Sequence, residues 1–422
     1  MRVLIVNTSE KTGGAAVAAN RLKNALNHSG VKAKMLVRDK ETDDVTVVGL
    51  KKGWWARWKF LWERWCIFFH LGFNRKNLFK IDTGGVGYDI TRTREFREAD
   101  VIHLHWVNQG MLSLRGIRKI LNSGKPVVWT MHDLWPATSI CHVSLQCKKY
   151  HIQCHHCRLL PGSGSEHDLS YHVWNKKKAC LKGQDIVFVA CSKWLAGEAR
   201  KSKLIEGQRV ESIPNPIDTR LFHPDDKATA RQRLHLPQDK KLILFVSQRI
   251  TNELKGLRYL VEACNALASD TAMKDAAVVV LGSHGEEAAE LFQMPVYPLG
   301  YTTDPLKIAE AYRAVDLFVL PSLSDNLPNT IMEALACGVP CVAFHVGGIP
   351  EMVDHLKNGY VAKVRDAADL AKGIRWTLLE ADSEQLSKAA VAKVQHSYSP
   401  QTVALKYVEA YNEAIALKKY KL

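Results

Sequence analysis

The chain has 422 residues, 46% hydrophobic and 24% charged, with a formal net charge of +15 and a pI near 9.3. This composition excludes disordered and fibrous classes, and the length exceeds one ordinary hydrophobic core, so two domains are expected. The positive balance favours an anionic partner, whether nucleic acid, acidic lipid or a phosphorylated small molecule, without choosing among them.

The opening MRVLIVNTSEKTGG has an apolar core of only four residues, short for a signal peptide or a membrane span, and no run of eighteen apolar residues occurs. Ten cysteines in such a chain read as thiols or metal ligands of a reducing, cytoplasmic compartment. Residues 3–6 form an apolar run expected to be a buried strand, after which Gly13-Gly14 opens an alanine-rich helix over 15–27 that Gly30 closes. The paired glycines either let the backbone approach a phosphate or make a tight turn; neither GxGxxG nor GxxxxGK is present.

Segment 51–80 has the most unusual composition, KKGWWARWKFLWERWCIFFHLGFNRKNLFK. Trp55, Trp58, Trp62, Trp65 and Phe69 follow at spacings of 3, 4, 3 and 4 and share one helical face, with Arg57, Lys59 and Arg64 off it. That pattern describes either an interfacial helix on anionic lipid or a helix that packs its tryptophans into a core. A single apolar stripe lacks the stacking platforms of a single-strand binder, which counts against nucleic acid as a partner.

Residues 101–105 and 126–130 read as parallel strands around a helical stretch at 112–123. The first ends in His103, His105 and Trp106, the second in Thr130, His132 and Asp133. Polar groups at strand carboxyl ends face the ligand crevice of an α/β sheet, which singles out His132 among 17 histidines. Cys141, Cys147, Cys154 and Cys157 follow, interleaved with His142, His151, His155 and His156. Four thiols with one CxxC pair suit a closed, structural zinc site that pins this loop, the alternative being reduced thiols in a local hairpin.

A strand over 186–191 leads to Ser192 and a short helix, and the proline-bracketed segment 213–218, which holds Asn215, reads as an extended inter-domain linker. The second half repeats the rhythm with strands over 242–246, 277–281, 317–320 and 340–344 and helices over 259–268 and 308–314. Arg249 at a strand end and Lys255 at the next helix start form a candidate diphosphate clamp, surface ion pairing being the other reading. In DLFVLPSLSDNLPNTIMEALACGVPCV, residues 316–342, a loop joins a buried strand to a helix. Its residues 326–331 suit a phosphorylated ligand at the helix N-terminus, with Asp325 and Glu333 accepting hydrogen bonds from ligand hydroxyls. The expected domains are 1–212 and 213–399, with a last helical segment, 400–422, returning to the first.

The ordered set from Gly13-Gly14 through Arg249 and Lys255 to Asp325 and Glu333 resembles the family-four retaining glycosyltransferases over nearly the whole chain. The Leu-His-Trp, Thr-Met-His-Asp-Leu-Trp-Pro and four-cysteine stretches resemble the branch that builds bacterial capsular, exopolysaccharide or lipopolysaccharide chains. The resemblance implies the GT-B arrangement, an α/β class of two Rossmann-like doubly wound domains facing across a cleft. It implies that Arg249 and Lys255 bind the diphosphate of a nucleotide-sugar donor and stabilise its departure, with Gly13 and Gly14 bringing backbone N–H groups to it. Glu333 then holds the ribose, Asp325 the donor sugar, and the backbone of Asn326, Leu327, Asn329 and Thr330 sugar and phosphate. His132 orients the sugar, and Ser192 and Asn215 fall at cleft-edge motifs. The family's acidic pair is Glu-x7-Glu, whereas Asp325 is one methylene shorter, and five residues separate Arg249 from Lys255 where four is usual, so that loop is expected to bulge.

No cofactor is implied for the chemistry, and the implied acceptor is a saccharide, preferably lipid-diphosphate-linked, met at the inner face of the plasma membrane through 51–80. A nucleotide-sugar epimerase or hydrolase on this scaffold, and a non-catalytic basic peripheral membrane-binding protein, are the competing classes.

Overall fold

The computed structural model describes residues 1–50 and 54–419, without the side chains of 54–57 and 59. Residues 51–53, the side chains of Trp55, Arg57 and Lys59, and the basic end at 420–422 lie outside the described residues. The chain divides into two compact units, Met1–Pro216 with Val403–Leu422, and Ile217–Thr402.

The first unit is a seven-stranded parallel sheet in the order β3-β2-β1-β4-β5-β6-β7. Its strands are β1 (Arg2–Ser9), β2 (Lys32–Asp39), β3 (Val47–Gly49), β4 (Val101–Leu104), β5 (Val127–Met131), β6 (Val187–Ala190) and β7 (Arg209–Ser212). Side chains alternate across a strand, so Leu4 and Val6 enter one apolar cluster and Val3 and Ile5 another on the opposite face. Such strands are buried on both faces, which is why they read as short unbroken apolar runs. The second of these clusters takes Leu22 and Leu26 from helix α1 (Gly14–His28) and Val403, Tyr407 and Tyr411 from the C-terminal helix Pro400–Lys419.

The second unit is a six-stranded parallel sheet in the order β10-β9-β8-β11-β12-β13. It comprises β8 (Lys241–Arg249), β9 (Ala276–Ser283), β10 (Val296–Gly300), β11 (Leu317–Leu320), β12 (Cys341–Phe344) and β13 (Gly359–Ala362). Both sheets reverse their strand order beside their first strand, at β1/β4 and at β8/β11. Open α/β sheets bind ligands outside the carboxyl ends of strands at such switch points. The α/β class with two Rossmann-like sheets is therefore what the chain adopts.

Helix α2 (Trp54–His70) reverses the usual amphipathic order. It buries Glu63, Arg64 and Ile67, while Trp58 is 50%, Trp62 60%, Trp65 60% and Phe69 59% exposed. These tryptophans do not pack into a core, so of the two sequence readings that one falls. Arg64 Nη2 donates to Asp82 Oδ2 at 2.9 Å, and Asp82 also accepts from the Gln109 N–H at 2.9 Å and the Gly84 N–H at 3.0 Å. Burial, with the nearby Asp82 charge, pushes the Glu63 carboxyl up to about 8.

Candidate functional site

In the second unit the candidate residues collect at the β8/β11 switch point. Arg249 ends β8, after a register irregularity against β9 between Val246 and Arg249, and its side chain is exposed. Lys255 closes a 3-10 turn, Glu253–Lys255, and Gly256 then starts the helix Leu257–Leu267 at φ +72°. A Cβ at 256 would stand 1.9 Å from the Pro321 carbonyl oxygen, so only glycine lets this loop approach the end of β11. Leu323 N–H donates to the Leu254 carbonyl at 2.8 Å and ties the two loops together.

The consequence is that Lys255 Nζ reaches Asp325 Oδ2 at 2.8 Å, with 30% and 18% of the two side chains exposed. Asp325 is thus the partner of the lysine cation as well as a candidate sugar contact. Its own carbonyl oxygen lies where a Cβ at Gly347 (φ +56°) would clash at 1.8 Å, which fixes the loop from its other side. The helix Asn329–Ala336 begins after Pro328 with no side-chain cap, as the helix after Gly256 does. Most other helices of eight residues or more have an Asp or Ser cap, for example Ser113, Asp168, Ser192, Asp304 and Asp382. Uncapped N–H groups at a strand's carboxyl end form an anion site. Ser322 Oγ and Thr330 Oγ1 are buried there without a hydrogen-bond partner among the described residues. Glu333 is buried within the helix and accepts from the Tyr312 hydroxyl at 3.3 Å, and the Asn326 carbonyl accepts from Gly348 N–H at 2.8 Å. Leu327 is buried, and Asn329 opens the helix.

In the first unit Gly13, at φ +94° and with open space around its Cα, precedes α1, which starts at Gly14 with no side-chain cap. This loop follows β1, beside the switch point. Two strands along, His132 follows β5. Its Nε2 lies 2.9 Å from His105 Nδ1, and its Nδ1 lies 3.4 Å from Cys191 Sγ. Cys191 in turn reaches Asn215 Oδ1 at 3.2 Å. The network continues inward: His103 contacts Tyr411 Oη at 2.8 Å and Thr130 Oγ1 at 2.7 Å, and Thr130 contacts Tyr407 Oη at 3.0 Å. Burial lowers His132 to about 4 and His103 to about 3, and holds His105 well below the ordinary value, so all three are neutral at physiological pH. Ser192 is buried and its Oγ caps the helix Lys193–Arg200 by accepting from Leu195 N–H at 3.0 Å.

Sequence reasoning passed over a second histidine at this strand end. Asp133 Oδ2 accepts from His142 Nδ1 at 2.8 Å and Trp106 Nε1 at 2.9 Å, and Asp133 Oδ1 accepts from Trp135 N–H at 2.8 Å. Burial opposes charge on both partners, yet their mutual attraction wins, holding His142 above the usual histidine value and Asp133 below the usual carboxylate value.

The four clustered cysteines are free thiols, and among the described residues no group of three or more His, Cys, Asp or Glu side chains is placed to hold a metal ion. Cys141 bridges to Ile81, Cys147 N–H donates to the Ser144 carbonyl at 2.8 Å, and Cys157 N–H donates to Asp168 Oδ2 at 2.8 Å. Burial raises Cys141 and Cys154 to about 12, which keeps them protonated. The zinc read from cysteine spacing gains no support from this geometry. Among the described residues no helix is long and apolar enough to cross a membrane.

Comparison with known proteins agrees with the two sheets. Residues 12–221 match the model described as Glycosyltransferase Family 4, and residues 240–380 the model described as Glycosyl transferases group 1. Together they cover most of both units, and the chain belongs to this family of GT-B-fold glycosyltransferases. Among relatives, it is 30% identical over 257 residues to a D-inositol 3-phosphate glycosyltransferase of Geodermatophilus obscurus, covering 56% of each chain. It is 27% identical over 317 residues to D-inositol 3-phosphate glycosyltransferase 1 of Catenulispora acidiphila, covering 71% of this chain and 68% of that one. The chain spans about half the length of the first two curated relatives it matches. Among solved structures, sucrose-phosphate synthase of Thermosynechococcus elongatus superposes with a TM-score of 0.68 at 19% identity, covering 99% of this chain and 100% of that one. The lipopolysaccharide glycosyltransferase WaaG superposes at 0.59 and 15% identity, covering 96% and 98%. At these identities the likeness establishes the fold.

Proposed function

We propose that the chain is a retaining glycosyltransferase. It moves a sugar from a nucleoside-diphosphate donor to a hydroxyl of a lipid-diphosphate-linked saccharide, in surface-polysaccharide biosynthesis at the inner face of the plasma membrane. The observation that carries the reading is the β8/β11 switch point, where Arg249, Lys255, the uncapped helix Asn329–Ala336 and the buried Glu333 stand within one pair of loops. Arg249 and Lys255 neutralise the charge that grows on the departing diphosphate, and the backbone N–H groups at the helix start, with those at Gly13-Gly14, hold its oxygens. Glu333 takes the ribose hydroxyls. Asp325 keeps Lys255 in place until the phosphate arrives, and then turns to the sugar. His132, Ser192 and Asn215 support the sugar's surroundings from the first unit. Rate enhancement comes from positioning and from preorganised positive potential, so no resident cofactor is called for.

Support for the membrane surface comes from α2, whose Trp58, Trp62, Trp65 and Phe69 are exposed while Glu63 and Arg64 are buried, and from the net charge of +15. A thermal-shift panel of nucleoside diphosphates and their hexoses tests the donor. Stabilisation by one nucleotide sugar is expected, and silence across the panel refutes the transferase reading. Flotation with anionic liposomes tests the surface. A folded variant with Trp58, Trp62 and Trp65 changed to serine should lose flotation, and equal flotation refutes the interfacial helix.

A further inference from the structure

We propose that Gln109, in the turn after β4, recognises the saccharide acceptor, its side-chain carboxamide hydrogen-bonding an acceptor hydroxyl. The inference rests on the transferase reading above and names a residue that would select the acceptor. Gln109 has φ +54°, in the left-handed region that residues with a Cβ seldom adopt, and Gly110 follows at φ +82°. Two charged side chains hold this backbone from either end. The Gln109 N–H donates to Asp82 Oδ2 at 2.9 Å, and the Gln109 carbonyl accepts from Arg38 Nη1. Backbone strain that surrounding contacts over-determine in this way collects at functional sites. A turn wanted only for its shape is served by glycine, as at Gly110, so what glutamine adds is its side chain. That side chain is partly exposed, and its carboxamide makes no hydrogen bond among the described residues.

The turn stands at the ligand end of the first sheet. Strands β2 and β4 flank β1, and the Arg38–Gln109 contact joins the end of β2 to the loop after β4 across the end of β1. The Thr8 hydroxyl, on β1, donates to the Asn108 carbonyl at 2.9 Å and seats the loop on that strand end. This is the β1/β4 switch point, where open α/β sheets take their ligands.

Helix α2 backs the same turn. A Cβ at Gly110 would stand 3.5 Å from the Phe60 Cα, the Arg38 guanidinium carbon lies 5.2 Å from the centre of the Phe60 ring, and Arg64 holds Asp82. The next residues of α2, Leu61 and Trp62, are exposed. A saccharide whose lipid lies in the surface met by these side chains is thereby kept within reach of Gln109. The chemistry selects the same partner: a neutral carboxamide, which both donates and accepts, suits a sugar hydroxyl, whereas a diphosphate calls for cations.

The test is steady-state transfer by the full chain from the nucleotide sugar found by thermal shift to octyl glucoside, octyl galactoside and octyl mannoside. Release of free hexose without these glycosides measures the donor chemistry alone. Gln109→Gly removes the carboxamide and relieves the positive φ, so it is expected to stay folded. Its kcat/KM for the glycoside should fall by about five- to tenfold, as for loss of one neutral hydrogen bond, with donor KM and hexose release unchanged. Gln109→Asn keeps a carboxamide on a residue that tolerates the left-handed region and should lose less. Undiminished glycoside kcat/KM in Gln109→Gly, an equal fall in hexose release, or equal losses in the two variants overturns the proposal. So does a wild-type protein that releases hexose from its donor and transfers it to none of the three glycosides. A protein that neither binds nor cleaves any nucleotide sugar fails the transferase reading itself, and the proposal with it.

Discussion

Replacing Glu63 with glutamine in α2 should flatten a pH dependence of stability that the wild-type protein carries between mildly acidic and mildly basic conditions. Glu63 is 2% exposed and faces Asp82, which together raise its carboxyl from 4.5 to about 8 against the opposing pull of Arg64. Between those two values the folded chain therefore binds more protons than the unfolded chain. By linkage this stabilisation is fully present below the unfolded value and is lost as pH rises through the folded one. A single proton sets a ceiling of about 1.4 kcal/mol per pH unit, so stability should decline by about 1 to 3 kcal/mol from pH 5.5 to 7.5. Glutamine cannot titrate, and the decline should vanish. Tryptophan fluorescence during urea unfolding is a suitable assay, because ten of the 11 tryptophans precede residue 217 and report on the first unit. Parallel pH profiles for wild type and Glu63→Gln would refute the assignment of a buried, protonated glutamate beneath the aromatic face.

Lys255→Ala should lower turnover by more than about tenfold, as expected when a cation facing transition-state charge is removed; steady-state kinetics with the donor found by thermal shift would reveal unchanged turnover if the clamp is wrong. Tyr411→Phe removes the hydroxyl 2.8 Å from His103 Nδ1 and should destabilise the first unit by about 1 to 3 kcal/mol, the range for leaving a buried polar group unpaired, as read by chemical unfolding.

The interior strands other than β2 were legible because burial on both faces writes them as apolar runs: the strand expected over 317–320 is β11, Leu317–Leu320. Strands β2, β3, β7, β10 and β13 were not singled out: the last four are edge strands, Pro298 within β10 argues against a strand anywhere except at an edge, and interior β2, KAKMLVRD, breaks its apolar run with charged residues. The loop expected to bulge between Arg249 and Lys255 contains the 3-10 turn Glu253–Lys255, and the register irregularity of β8 falls ahead of it, between Val246 and Arg249. The Lys255–Asp325 pair was hidden because two loops 70 residues apart meet only where Gly256 permits backbone contact with Pro321. His142 was masked by the cysteines around it, which drew attention to metal. The available signal was Asp133 itself, a carboxylate at a strand end with no arginine or lysine nearby in sequence to balance it. The aromatic periodicity of α2 was plain, whereas the burial of Glu63 and Arg64 on its other side required Asp82, from a turn 18 residues past Arg64.

The C-terminal helix has a consequence for how the polypeptide matures on the ribosome. Val403, Tyr407 and Tyr411 complete the core that begins with Val3 and Ile5, and the contact between His103 and Tyr411 spans 308 residues of sequence. The sheet made first therefore waits, with the part of one apolar face that α1 does not cover exposed, while the whole second unit is translated and can already collapse on its own. Closing so long a loop is slow and carries an entropic cost, and the open interval invites chaperones and proteases. A chain lacking residues from 403 onward would leave the apolar surface that Val403, Tyr407 and Tyr411 cover open to solvent.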